Sequence, residues 1–148
     1  MEAFPFTKAE WIPVRETLLS LVNATLAEDD ILRSSYLAEV LELLAALKER
    51  HGDHPVLLET EADFIDEEDA RVELYRRAAG IATANVLSTL SIRLSLAQVL
   101  LELGRPAEAA VELTACEQEL PDGDDSDRES WKEMAAKAKV DRGDAVAE

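Results

Sequence analysis

The segment HGDHPVLLETEADF, residues 51 to 64, gathers side chains able to hold a metal or move a proton: His51, His54, Asp53, Glu59, Glu61 and Asp63. Two imidazoles with Asp53 or Glu59 as third ligand would make an open metal site, and the carboxylates beside His54 could serve hydrolysis as acid and base. The spacing speaks against the metal. The histidines flank Gly52 and precede Pro55, so they sit at a helix break, and no further histidine or nearby cysteine completes a tetrahedral set. A histidine in a last helical turn is also favoured by the helix dipole. Both histidines are therefore assigned to structure, with no metal, no cofactor and no catalytic residue expected. Cys116 is the one cysteine and has no basic partner on its helix face, so it reads as a small buried contact and not a nucleophile.

The elements that must position these residues are helical. The chain has 148 residues, enough for one core; 47% are hydrophobic but only 5% aromatic, which points to packed Leu- and Ala-rich helices. Caps and apolar periodicity predict about seven helices in antiparallel hairpins within a single domain, residues 1–140. The first hairpin covers 8–52. Thr7 and Glu10 form a capping-box pattern ahead of its first helix, where Pro13 marks either a kink or the true first turn, and Asp29 or Asp30 caps its second. A second hairpin covers 55–84, opened by Asp53 or His54 with Pro55, its second helix beginning at Asp66 and stopping at Asn85. The third covers 89–120, with Ser88 or Thr89 opening it, Gly104 and Pro106 at its turn, and its last helix running to Leu120. Ser126 and Glu129 then predict a capping helix over 127–140, leaving 141–148 as a frayed tail. Trp11 and Trp131 read either as anchors at the two ends or as exposed contacts for a partner.

Charge narrows the function. With 32 acids against 15 Lys and Arg the net charge is -17, which repels nucleic acid and anionic lipid and attracts a basic partner. Helix starts account for many acids, through the partial positive charge of unpaired amides, but not for eight acids and no Lys or Arg between Asp53 and Asp69. Turning each residue by 100° puts Glu59, Asp63 and Asp66 on one face of the third helix and Glu61 inside the opposite apolar arc. On the fifth helix Arg93 lies on the apolar side with Leu96, Ala97 and Leu100. An unpaired buried charge is costly, so Glu61 and Arg93 are expected to meet as a structural ion pair between these helices.

The third hairpin, TLSIRLSLAQVLLELGRPAEAAVELTACEQELP, resembles one tetratricopeptide repeat: Ala97, Leu100, Gly104, Ala109, Leu113, Cys116 and Pro121 fall on that family's spaced positions. Ala70, Leu74 and Ala78 suggest a second, lengthened copy, and the chain as a whole is similar to small acidic bacterial repeat proteins. The resemblance implies an all-α, short right-handed solenoid with a C-terminal capping helix. It also implies a concave partner-binding face carrying Ser91, Leu94, Ser95, Gln98, Leu101 and Glu102, with Glu59, Asp63 and Asp66 beside them. The expected function is a non-enzymatic cytoplasmic adaptor for a basic peptide or protein, one version being an immunity or inhibitor protein of a cationic toxin. The alternatives are a homodimer subunit burying an apolar face of the first hairpin, and a carboxylate-based hydrolase. No apolar run approaches the roughly 18 residues that cross a bilayer.

Overall fold

The computed structural model describes residues 1–143. Among these the chain is all helical: α1 (Lys8–Leu26), α2 (Asp30–His51), α3 (Pro55–Phe64), α4 (Glu68–Ala84), α5 (Leu90–Glu102), α6 (Pro106–Cys116) and α7 (Asp125–Arg142), with a 3-10 segment over Glu117–Asp122. None of these helices is long and apolar enough to cross a membrane. Consecutive helices pack in pairs, α1 on α2, α3 on α4 and α5 on α6; α4 also meets α5, and α7 lies across both α5 and α6. By contrast, α2 and α3 share only a narrow contact.

Most boundaries follow local chemistry. The Thr7–Glu10 capping box forms in both directions, so α1 starts before Pro13 and carries that proline inside it. Asp29 accepts from the Leu32 amide to start α2, and Gly52 ends it at φ 75, a conformation costly for any residue with a Cβ. His54 caps α3 through Nδ1, which accepts from the Val56 amide at 3.1 Å.

Three starts differ from expectation. Glu67, not Asp66, caps α4 by accepting from the Asp69 and Ala70 amides, which leaves Asp66 outside the helix and free to clasp Arg33 at 2.9 and 3.1 Å. The box ahead of α7 is formed by Asp124 and Asp127 instead of Ser126 and Glu129. At α5, Thr89 stands at the cap position but its side chain does not cap; Glu119 reaches in and accepts from the Thr89 amide at 3.0 Å and from the Ser88 hydroxyl. Two ends differ as well. The last turn of the third hairpin tightens into the 3-10 segment after Cys116, and α7 continues through Arg142 to Gly143 at φ 80. Residues 141 and 142 are thus helical, Gly143 caps them, and residues 144–148 of the expected tail lie outside the described residues.

The apolar interior divides into two clusters. A large one joins α3 to α7 through Leu58, Ala62, Tyr75, Leu96, Leu100, Leu113 and Met134. A small one holds the first hairpin to α3 through Phe6, Val14, Val40, Leu44, Leu47 and Leu57. Leu57 and Leu58 are adjacent, fully buried, and serve different clusters. The helical turn of 100° per residue aims one at each.

The expected Glu61–Arg93 pair does not form. Glu61 pairs with Lys48 of α2, both side chains about a quarter exposed, while Arg93 binds Glu112 of α6 at 2.8 Å and the Thr89 hydroxyl at 3.0 Å. The reason is directional: Glu61 lies 40° from Leu57 around α3 and so faces the first hairpin, away from α5. Each charge on an apolar side is nevertheless paired, as desolvation requires.

The two-cluster interior makes a testable demand. Leu57→Ala should cost about 2–4 kcal/mol, and hydrogen exchange should show protection lost first in α1 and α2; Leu58→Ala should loosen α4 and α5 instead. Equal loss throughout the molecule in both variants would mean that the two clusters unfold as one.

Candidate functional site

The third helix turns its remaining face, Glu59 and Asp63, toward the N-terminal part of α5. A groove of about 440 Å³ opens there, with Asp63 on one wall, Ser91, Leu94, Ser95 and Gln98 of α5 along its length, and Asp127, Ser130 and Met134 of α7 opposite. Arg71 and Tyr75 of α4 close its base. Five of the residues expected on a binding face therefore come together here: Asp63, Ser91, Leu94, Ser95 and Gln98. Glu59 stands one turn before Asp63 on the same face of α3, where burial raises its pKa and Ser91 lowers it.

The other three lie elsewhere. Leu101 is buried in the large apolar cluster and presents no surface. Glu102 is exposed at the end of α5, where it accepts from Gln98 Nε2 at 3.2 Å. Asp66, outside α3, is held by Arg33. Reading α3 as continuous to Asp66 placed that residue on a face it never joins.

Sequence reasoning missed α4 and α7 as walls. Arg71 and Tyr75 stand one turn apart on α4, a spacing that places both on one face. Met134 is buried with Ala138 on the inner side of α7 and also borders the groove. Trp131 anchors α7 on α6, its Nε1 donating to the Leu113 carbonyl at 2.8 Å.

Electrostatically the groove is a short acidic face. Burial pushes the Glu59 carboxyl above its ordinary value, the Ser91 hydrogen bond pulls it back, and the charge of Asp63 pushes it up again. Asp63 is raised first by the desolvation of its carboxyl, although one side of the residue meets solvent; the Tyr75 hydroxyl, donating to Oδ1 at 2.5 Å, and the Arg71 charge oppose the rise. Tyr75 in turn is held protonated by burial and by that same carboxylate. Arg71 spends its Nε on the Ala62 carbonyl at 2.8 Å and makes no ion pair with Asp63. Among the described residues, neither Glu59 nor Asp63 has an ion-pair partner. Two carboxylates one helical turn apart, both partly desolvated and neither held in an ion pair among the described residues, form a seat suited to an incoming ammonium or guanidinium.

The two histidines first weighed for metal or acid-base work have structural partners. His51 Nε2 lies 2.9 Å from Glu10 Oε2, and His54 donates from Nε2 to the Glu2 carbonyl at 2.8 Å while its Nδ1 caps α3. No group of three or more potential metal ligands is gathered among the described residues. Burial, then the charge of Glu119, pushes the Cys116 thiol up to about 11, which leaves very little thiolate at neutral pH.

The chain matches no protein-family model, no curated protein and no solved structure.

The raised carboxyl of Glu59 fixes the sign of a pH effect. The folded protein binds this proton more tightly than the unfolded chain, so ionisation costs stability at neutral pH and acidification relieves the cost. Glu59→Gln should therefore stabilise the protein at pH 7 by about 0.5 kcal/mol, the scale of a like-charge pair one turn apart. The gain should shrink as the pH falls through the raised value and vanish below the ordinary 4.5. Thermal unfolding followed by circular dichroism at pH 7 and in acid checks this. A lower melting temperature at pH 7 would show that the contact with Ser91 outweighs the repulsion.

Proposed function

We propose that this chain is a non-enzymatic binding module that holds a basic peptide segment in the groove between α3, α5 and α7. The observation that carries the reading is Asp63 at the wall of a groove lined by serine hydroxyls and an amide, with Glu59 one turn before it; neither carboxylate has an ion-pair partner among the described residues. Ser95 and Gln98 can bond the backbone of an extended segment, Leu94 and Met134 can take its aliphatic stems, and the carboxylates receive its charge. The net charge of -17 would steer such a partner toward the molecule and speed its capture.

The likeness of α5 and α6 to a tetratricopeptide repeat supports the same reading, since that family binds partners on the face lined by the first helix of each pair. Under it, the three hairpins form a short solenoid capped by α7. An inhibitor of a cationic toxin is one version, supported by the charge and the small size.

A lysine- and arginine-rich decapeptide is the direct probe, with its glutamine-substituted counterpart as control. The basic peptide should shift the amide resonances of Ser91, Ser95 and Gln98. Its affinity should fall about tenfold or more when Glu59→Gln and Asp63→Asn are combined, a tenfold loss being 1.4 kcal/mol. Raising the salt should weaken it further. Shifts confined to other surfaces, or an affinity indifferent to the double substitution, would remove the groove from consideration.

A further inference from the structure

The outer face of α1 carries apolar side chains that stay largely exposed among the described residues. Ile12 is 42% exposed, Leu19 63%, Val22 40% and Leu26 78%. Ile12, Leu19 and Leu26 recur every seven residues, and Lys8, Arg15 and Val22 do so between them. This is the seam spacing of two helices wound side by side, not that of a face turned to water.

The stripe has different ends. At its start Phe4, Phe6, Trp11 and Ile12 line a groove of about 340 Å³ with Lys8 and Arg15 at its edge. Phe4 stands edge-on to Trp11 with centroids 5.2 Å apart, and Phe6 is stacked on Trp11 at 5.3 Å, so the aromatic wall is already in place. Neither Lys8 nor Arg15 forms an ion pair among the described residues. At the other end the hairpin tip projects Leu26 and Ile31, the latter 85% exposed, beside Glu28, Asp29 and Asp30. A hollow with unpaired cations thus sits at one end and an apolar projection with acids at the other. Ile12 and Leu26 each lie about 10 Å from Leu19 along the axis.

We infer that two copies of this chain pair through α1, antiparallel about a two-fold axis at Leu19, with the hairpin tip of each seated at the aromatic groove of the other. That operation sets Leu19 against Leu19 of the second copy and Ile12 against its Leu26, and brings Lys8 toward the acids of its Glu28–Asp30 turn. One patch is thereby complementary to itself, which a two-fold interface requires and a heterologous partner would not. The overall negative charge opposes any self-association, but screening to about 8 Å at physiological salt confines the repulsion to nearby groups, where Lys8 faces acids. The groove between α3, α5 and α7 stays outside the interface, so this pairing does not depend on the proposed peptide binding.

Sedimentation of the full chain from micromolar to millimolar concentration in about 0.15 M salt tests the inference. A monomer–dimer equilibrium is expected. Leu19→Glu, which sets two like charges on the axis, should weaken it at least about tenfold with the helical circular dichroism unchanged, because Leu19 is exposed. Lys8→Glu should weaken it, and adding Asp30→Lys should restore it. Leu19→Cys should give a covalent dimer under mild oxidation; Cys116 is buried and should not compete. A chain that stays monomeric throughout overturns the inference and leaves the stripe to a different protein. So does a dimer that is indifferent to Leu19→Glu and is not cross-linked through position 19.

Discussion

The ten residues of α3 must satisfy three neighbours at once, and the rest of the molecule is arranged around that demand. Leu57 and Glu61 face the first hairpin, Leu58 and Ala62 face the large core, and Glu59 and Asp63 face α5. Each pair spans about 40° of the helix, because residues one turn apart nearly superimpose. A helix so short has no surplus turn with which to relax one contact without moving the others. The orientation that buries both leucines therefore also fixes where the two groove carboxylates point.

The ion pairs follow the same geography. Lys48–Glu61 and Arg33–Asp66 bridge the first hairpin to the second, Arg77–Asp53 ties α4 to the start of α3, and Arg76–Glu108 and Arg93–Glu112 secure α6. Partly exposed pairs of this kind contribute about 1 kcal/mol or less each. Their larger effect is to fix how neighbouring helices align, and to use up cations. A chain with 15 basic residues against 32 acids has few to spare, and those engaged between helices are not available to neutralise Glu59 and Asp63. The acidic groove is thus a consequence of how the fold spends its positive charge.

The helices were legible in the sequence because their ends carry their own chemistry. Thr7 with Glu10, Asp29, Gly52 and Pro55 each act within four residues, and a local signal survives whatever the tertiary structure does. Asp66 to Asp69 was harder, since four consecutive acids can all cap and only the pull of Arg33 on Asp66 selects Glu67. The long-range pairing of Glu61 was not legible. The sequence shows that its charge lies among apolar neighbours, but treating the apolar arc of α3 as one surface hid the fact that Leu57 on one side of it and Leu58 and Ala62 on the other meet two different bodies. Lys48, one turn after Leu44 on the α2 stripe, was the cue, and Glu112, one residue before the buried Leu113, was the matching cue for Arg93. Of the five residues of the face that do meet, Asp63 was placed by turning α3 at 100° per residue, and Ser91, Leu94, Ser95 and Gln98 of α5 as the tetratricopeptide resemblance implies. Leu101 failed because the large core reaches further around α5 than a single apolar stripe would.

The narrow α2–α3 contact then acquires a meaning beyond stability. It separates an apolar, cation-edged surface on the first hairpin from a polar, acidic groove at the far end of the chain, and it is bridged by the small Leu57 cluster and by charged pairs, not by the large core. Charged pairs hold orientation while tolerating water, so the hairpin can be positioned without being fused into the main core. A continuous core across this boundary would have required apolar residues where Lys48, Glu61 and Arg33 stand. That would have drawn α3 deeper into the interior and covered Glu59 with it. The weak joint and the open acidic wall are therefore two results of one packing choice: α3 stays near enough to the surface to serve both ends of the molecule.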